Sequence, residues 1–323
     1  MNSPPYDHSA PPELGAGQSS PGPEAVGGSP PHWETRYRRR RVGAGVAVTA
    51  LAALIVAIIS GGGAASRRVV HSVRRPPTPA PGGLPGDTLA GLGNWTPQQL
   101  AAVDRVLRYA PYVTQGSHRR REVALTFDDG PSTFTPQVLT ILRHEHAPAT
   151  FFQIGRSATQ YPDIAREVLA AGLPIGDHTE THPALAGLSS AQQRTEILDG
   201  AKAIQSYGAP YPRLFRPPYG SFNATTEKLA RGHRMLTIMW TVDTRDFSQP
   251  GVRNIISTAV SGAKPGAIIL MHDGGGPRSE TVAALPHIIR DLRRRRFRLV
   301  TVPQLVLDDP PQRTQSAPLS SAG

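Results

Sequence analysis

Short apolar runs alternate with longer segments of helical periodicity between residues 121 and 306. The runs have the length of buried strands, and in the intervening segments apolar residues recur every three or four positions. Seven strands alternating with helices predict a parallel sheet with helices outside it, and an incomplete or distorted (β/α) barrel fits this count better than an open sheet. The predicted strands are Val123–Phe127, Thr150–Ile154, Leu173–Ile175, Arg213–Phe215, Met235–Val242, Ala267–Met271 and Arg298–Thr301. The predicted helices cover 135–145, 161–171, 189–206, 223–231, 251–261 and 279–293.

The segments around this domain divide into a helical lead-in and two polar tails. In residues 94–120, Thr96 is a predicted N-cap, Pro97 occupies the first helical position, and Leu100, Val103 and Leu107 form an apolar stripe. Residues 1–41 and 307–323 have too few apolar residues to offset the entropy of ordering. We therefore predict that both tails are disordered.

Residues 42–66 contain no ionisable side chain. A helix of this length, rising about 1.5 Å per residue, spans the roughly 30 Å hydrocarbon core of a bilayer. We predict an uncleaved transmembrane anchor, with a cytoplasmic N-terminus and residues 67–93 as a Pro/Gly-rich linker to an extracellular domain. The alternatives are a buried core helix and a signal peptide, since the small residues at 61–65 resemble a cleavage region and cleavage would give a secreted protein.

Composition restricts the chemistry. The chain has no cysteine, so disulfides are excluded and any metal must be bound by His, Asp or Glu. The formal net charge is +11, but about half of this excess lies in residues 67–120 rather than in the domain. The run Arg293–Arg296 suits the C-terminal end of a helix, with a polyanion-binding patch as the alternative. We expect no nucleic-acid binding, because no motif accompanies the charge.

Reactive side chains follow five of the predicted strands. In a parallel barrel the C-terminal ends of the strands share one rim, where catalytic residues gather. We therefore expect these clusters to converge in one site. They are Asp128–Asp129, His178 with His182, Arg216 with Tyr219, Asp243 with Asp246, and His272–Asp273.

His178 and His182 are four residues apart, which on a helical turn would place both imidazoles on one face. Two imidazoles and a carboxylate form a metal site with open positions for water and substrate. If one carboxylate of the pair Asp128–Asp129 binds that cation, the repulsion between the two is removed. Taken alone, the histidine pair also fits a solvated surface helix.

Five segments in this order resemble the motifs of the polysaccharide deacetylases, the NodB-homology or family 4 carbohydrate esterases. They are TFDDGP, HTETHP, RPPYG, VDTRDF and ILMHDG, and the resemblance covers about residues 121–306. It implies a distorted (β/α)7 barrel and metal-dependent removal of N- or O-acetyl groups from glycans.

The resemblance also implies a role for each matching residue. Asp129, His178 and His182 match the metal ligands, Asp128 the general base and His272 the general acid. Arg216 resembles the residue that orients the base, and Asp246 the residue that supports the acid. Tyr219 matches the position whose backbone N–H holds the oxyanion. Phe247 stands where the family usually has tryptophan, so an aromatic ring is kept and the indole N–H is lost.

These observations predict a monomeric, membrane-anchored deacetylase of an acetylated glycan polymer, with peptidoglycan N-acetyl sugars as the first candidate. Chitin-like oligomers and O-acetyl xylan are the alternative substrates. A catalytically inactive glycan-binding protein is the alternative function. Zinc is the favoured metal because it prefers histidine and carboxylate ligands, with cobalt, nickel or manganese as alternatives.

Overall fold

The computed structural model describes residues 95–315. Within this part of the chain nine strands form a single sheet, and every pair of neighbouring strands is parallel. They are β1 (Tyr112–Val113), β2 (Glu122–Asp128), β3 (Thr150–Gln153), β4 (Ile175–Asp177), β5 (Leu214–Phe215), β6 (Leu236–Ile238), β7 (Val242–Asp243), β8 (Ala267–His272) and β9 (Arg298–Val300).

The sheet is a barrel that does not close. Its order is β1-β6-β5-β4-β3-β2-β8-β7, and β9 pairs with the first half of β2. The two edge strands, β1 and β7, are not paired with each other, so the sheet does not close on itself. The predicted α/β fold and parallel sheet are confirmed, in the form of an incomplete barrel.

Nine α-helices accompany the sheet in residues 95–315. Their ends carry sequence signals: Thr96 and Ser189 each cap a helix together with a glutamine three residues later, and Asn223 caps another. The helices are α1 (Pro97–Leu107), α2 (Thr135–His144), α3 (Gly155–Gln160), α4 (Pro162–Ala170), α5 (Ser190–Ser206), α6 (Ala224–Gly232), α7 (Val252–Gly262), α8 (Ser279–Arg294) and α9 (Val302–Asp308).

The alternation of side chains along β2 separates two apolar cores. Val123, Leu125 and Phe127 face outward and pack with α2, α7 and α8. Ala124 faces inward, where α1 and α9 cover the inner face of the sheet. Since side chains alternate with period two, Thr126 and Asp128 share the inner face with Ala124. The first catalytic candidate is thereby directed into the barrel.

Several predicted elements differ from the observed ones. The strand expected at Leu173–Ile175 lies at Ile175–Asp177, and the strand expected at Met235–Val242 is two strands. Between these two strands the chain changes its partner: Met239 N–H bonds to Val113 O on β1, and Thr241 N–H bonds to Ile268 O on β8. The strand β1 and the helices α3 and α9 were not predicted.

The C-terminal segment is held more firmly than its composition suggests. The carboxylate of Asp309 is fully buried and accepts hydrogen bonds from the Ser117 hydroxyl and the backbone N–H groups of His118 and Arg119. Gln315 donates to Tyr112 O at 2.6 Å. The predicted boundary at 306 and the disorder expected from 307 therefore do not describe residues 307–315, which pack on the lead-in.

The predicted anchor at 42–66 lies outside the described residues, as do residues 1–94 as a whole and 316–323. Among the helices of residues 95–315, none combines the length and the apolar character needed to span a bilayer.

Candidate active site

The reactive residues predicted from sequence come together at the C-terminal ends of the strands. Asp128 ends β2 and His272 ends β8, and the two are directly opposite each other in the parallel register. His178 follows β4, and Arg216 follows β5. Asp246 lies in a short 3₁₀ turn after β7 and bonds to His272.

Three side chains form the cluster that could hold a metal ion. One ligand atom each of Asp129, His178 and His182 lies within 4.8 Å of the other two. Oδ1 of Asp129 is 3.2 Å from Nε2 of His182 and 3.6 Å from Nε2 of His178. In residues 95–315 this is the only group of three or more such side chains that meets this distance.

The hydrogen bonding of the cluster fits a cation. Nδ1 of His178 lies 2.6 Å from the carbonyl oxygen of Arg216, so that nitrogen carries the proton and Nε2 presents its lone pair to Asp129. Burial, with the nearby His182, lowers the pKa of His178 to about 3, which keeps the ring neutral at pH 7. Oδ1 of Asp129 is buried without a hydrogen-bond partner. Lone pairs that converge without a donor are satisfied by a divalent cation, so these residues fit the expected metal.

The two histidine rings are brought together by a turn that differs from the predicted helical turn. No helix covers residues 178–184; instead Thr179 and His182 adopt left-handed conformations, with φ of 68° and 65°. His182 N–H donates to the Thr179 hydroxyl, which closes the turn. The imidazoles end with their centroids 4.9 Å apart. The prediction of adjacent rings was therefore right, but its helical reason was wrong.

Asp128 is a buried carboxylate held by a buried arginine. Nη1 of Arg216 donates to Oδ1 of Asp128 at 2.7 Å and to the Thr126 hydroxyl at 2.9 Å. Nε and Nη2 donate to the carbonyls of Ile238 and Met239. Burial raises the pKa of Asp128 to about 6, although Arg216 and His272 lower it. The carboxylate is therefore ionised at neutral pH but close enough to titration to accept a proton.

Asp246 and His272 form a second carboxylate–imidazole pair. Nδ1 of His272 lies 2.7 Å from Oδ1 of Asp246, and Oδ2 accepts the His272 N–H and the Thr281 hydroxyl. Burial opposes protonation of His272, but its hydrogen bond and the charge of Asp246, followed by Asp129 and Asp128, raise its pKa to about 9. The ring is therefore a cation at pH 7, and Asp246 binds its Nδ1 and not its Nε2–H.

Two exposed aromatic rings border the site. Tyr219 is 50 % exposed, adopts a left-handed φ of 58°, and its ring centroid lies 4.6 Å from that of His182. Phe247 is 41 % exposed and lies 5.6 Å from the ring of His272. Asp243, by contrast, accepts the Arg245 N–H at 2.8 Å and so caps the end of β7.

Sequence reasoning gave no role to Asp273, which is buried beside the site. Its Oδ2 accepts the Thr135 hydroxyl at 2.5 Å, and its backbone N–H donates to Asp128 O at 3.0 Å. Burial raises the pKa of Asp273 to about 7. A side chain at Gly130 would meet this carboxylate, and one at Gly275 would meet that of Asp129. The sequence signal that could have identified Asp273 was its position next to His272 at a strand end.

Known proteins resemble this chain in sequence and structure. A family model described as polysaccharide deacetylase matches residues 115–238. A peptidoglycan-N-acetylglucosamine deacetylase of Bacillus cereus is 42% identical over 199 residues, covering 60% of this chain and 93% of the relative. A chitooligosaccharide deacetylase of Bradyrhizobium is 39% identical, covering 57% and 90%.

Solved structures give the same result. The crystal structure of a peptidoglycan N-acetylglucosamine deacetylase superposes with a TM-score of 0.60 at 31% identity, covering 68% of this chain and 100% of that one. A family 4 carbohydrate esterase from Streptomyces lividans superposes with a TM-score of 0.54 at 35% identity, covering 57% and 94%. A family 4 pseudoenzyme from Bacillus anthracis also matches, at 30% identity and a TM-score of 0.58.

Fold, site and relatives together define a carbohydrate esterase with a cluster of side chains that could hold a metal ion. The chain belongs to the polysaccharide deacetylase family, and it is a hydrolase that removes N-acetyl groups from glycans. The predicted family and class of reaction are confirmed.

Proposed function

We propose that the protein deacetylates the N-acetyl sugars of peptidoglycan, with a divalent cation, preferably zinc, held by Asp129, His178 and His182. The observation that carries the proposal is the unsatisfied Oδ1 of Asp129 between two imidazole nitrogens, with a buried base and a cationic histidine beside it. When bound, a divalent cation lowers the pKa of water and polarises a carbonyl oxygen.

Asp128 is the general base in this proposal. Its Oδ1 is occupied by Arg216, so Oδ2, which lies 3.7 Å from Nε2 of His178, accepts the proton of the attacking water. Arg216 has hydrogen bonds to two carbonyls as well as to Asp128, and its guanidinium lies 4.1 Å from the ring centroid of Phe152. These contacts fix the orientation of the base.

His272 is the general acid. An amide nitrogen leaves as an amine only when it is protonated, and the imidazolium supplies that proton through Nε2. Asp246 orients the ring, because it accepts from both Nδ1 and the backbone N–H of His272. The left-handed conformation of Tyr219 beside His182 supports a contribution of its backbone N–H to the oxyanion site.

The substrate is inferred from the relatives and from the predicted location. Three of the relatives are named as peptidoglycan deacetylases and four as chitooligosaccharide deacetylases. We place the domain outside the cytoplasm, tethered by residues 42–66, where peptidoglycan is the accessible polymer. Externally added protease should then release the domain from intact spheroplasts, and full protection would contradict this location.

The test is acetate release from peptidoglycan, chitin oligomers and O-acetyl xylan, before and after chelation and re-addition of zinc. We expect chelator-sensitive release that is fastest on peptidoglycan. An Asp129→Asn variant is the matched control, because it keeps the shape of the site and removes the charge of one ligand. Binding of glycan without release of acetate on any polymer would instead show an inactive glycan-binding protein.

A further inference from the structure

A cluster of arginines lies on the end of the barrel opposite the active site. Because all strands are parallel, residues that precede strands share the N-terminal edge of the sheet. Three exposed arginines directly precede β2, and three more precede β9. We call these six residues the basic face: Arg119, Arg120, Arg121, Arg294, Arg295 and Arg296.

Contacts join the two groups of the basic face into one surface. Nη2 of Arg121 donates to Arg295 O at 2.7 Å. The guanidinium groups of Arg121 and Arg295 lie 4.8 and 5.2 Å from the ring centroid of the same residue, Phe297. The charges therefore cluster because the fold brings two separate segments together.

Acids balance only part of the charge on this surface. Within the basic face Asp291 pairs with Arg294, whereas Asp308 and Glu122 pair with Arg298 beside it. Among residues 95–315 no carboxylate lies within salt-bridge distance of Arg119, Arg121 or Arg296. The dipole of α8 accounts for cations in its last turn, but not for those before β2.

We propose that the basic face docks on the anionic headgroups of a phospholipid membrane and directs the active site away from the bilayer. One further observation favours a membrane over a soluble polyanion, and a second gives the orientation. The uncharged residues 42–66 precede the domain by a linker of fewer than thirty residues, which would keep the domain near a bilayer. The basic side chains come from strand-edge loops and the end of α8, at the pole of the barrel opposite the rim.

The test uses residues 95–315, so that an inserted anchor does not dominate binding. This segment contains the whole sheet and its apolar cores, and a solved relative is matched along 100% of its length, so we expect the domain to fold on its own. Sedimentation with vesicles of phosphatidylcholine, with and without one third phosphatidylglycerol, measures binding. We expect binding to the anionic vesicles only, weakened by salt.

The triple variant Arg119→Gln, Arg294→Gln and Arg296→Gln should bind the anionic vesicles about a hundredfold more weakly, given the typical contribution of each arginine near such a surface. The matched control changes three exposed arginines at the beginning of helices near the opposite rim, Arg156→Gln, Arg194→Gln and Arg253→Gln. It should bind like the unaltered domain. Circular dichroism and acetate release check the fold, and single variants replace the triple one if it unfolds.

Three results would overturn the proposal. They are equal binding to neutral vesicles, equal losses in the two triple variants, and tighter binding to soluble poly(glycerol phosphate) than to anionic vesicles at the same phosphate concentration. The last result would assign the basic face to an anionic polymer. None of these results bears on deacetylation, because the face lies away from the rim.

Discussion

The two sides of the active site use the same residue types in opposite ways. Asp246 and His272 share a hydrogen bond of 2.7 Å, and both oxygens of Asp246 have donors. Asp129 faces two imidazole nitrogens, yet its Oδ1 lacks a hydrogen bond. In the proposed mechanism the carboxylate that is satisfied by an imidazole N–H tunes an acid, whereas the one that lacks a donor provides a metal ligand.

The largest effect should follow from removing a ligand. We expect His178→Ala to lose most bound zinc and nearly all activity, because loss of even an outer partner of a metal ligand typically costs about 10- to 100-fold. Metal content by mass spectrometry and acetate release check this. His144→Ala, at an exposed histidine of α2, is the control and should change neither. Full metal content in His178→Ala would remove this histidine from the ligand set.

Asp128→Asn should separate the base from the ligands. The amide keeps an oxygen for Arg216 but accepts no proton from water, so turnover should fall about 10²–10⁴-fold while zinc stays bound. Asp129→Asn should instead lose the metal. The reverse outcome, an empty site in Asp128→Asn and a filled one in Asp129→Asn, would exchange the roles of the two carboxylates.

His272→Ala should reduce deacetylation on the order of 10²–10⁴-fold without loss of metal. The loss should be smaller on an acetate ester with a good leaving group, which departs without a proton. Rates on an amide and on an activated ester give the comparison. Equal losses on both substrates would show that His272 serves the fold or the metal rather than the leaving group.

Asp246→Asn should move the alkaline limb of the pH profile. Burial lowers the pKa of His272, and Asp246 raises it; with the neighbouring carboxylates the result is about 9. The acid is protonated below its pKa, so activity is lost as pH rises through that value. Removing the charge of Asp246 should therefore shift the limb of kcat/KM to lower pH. A limb that stays in place would mean that His272 is not the group titrating there.

The smallest effect is expected at Phe247. Phe247→Trp enlarges the ring near His272, and aromatic contacts typically contribute about 0.5–1.5 kcal/mol beyond buried area. KM should change a few-fold at nearly constant kcat, whereas Phe247→Leu should raise KM by removing the ring. Steady-state kinetics on chitin oligomers measure both. A large fall in kcat would place Phe247 among the residues that act on the reacting atoms.

The sequence predicted the positions of the candidate site residues better than the contacts that hold those residues in place. Asp128 and His272 were found because each stands at the end of an apolar run. The pattern of a buried strand and its end can be read from neighbouring residues alone. The turn that joins His178 and His182 was misjudged, because a spacing of four residues also fits a turn of left-handed residues, closed here by His182 N–H and the Thr179 hydroxyl. Asp273 was missed for a different reason: its partners, Thr135 and Asp128, come from another strand and helix.

Asp309 also affects the order in which the domain can form during synthesis. The loop before β2 bonds to Asp309, and β2 itself pairs with β8 and β9. The strand that carries Asp128 is thus made early, and most of its partners are made last. Contacts of such high sequence separation slow folding, because a long chain must be closed before they form. The nascent domain must therefore hold its catalytic strand incompletely paired until almost the whole chain has left the ribosome.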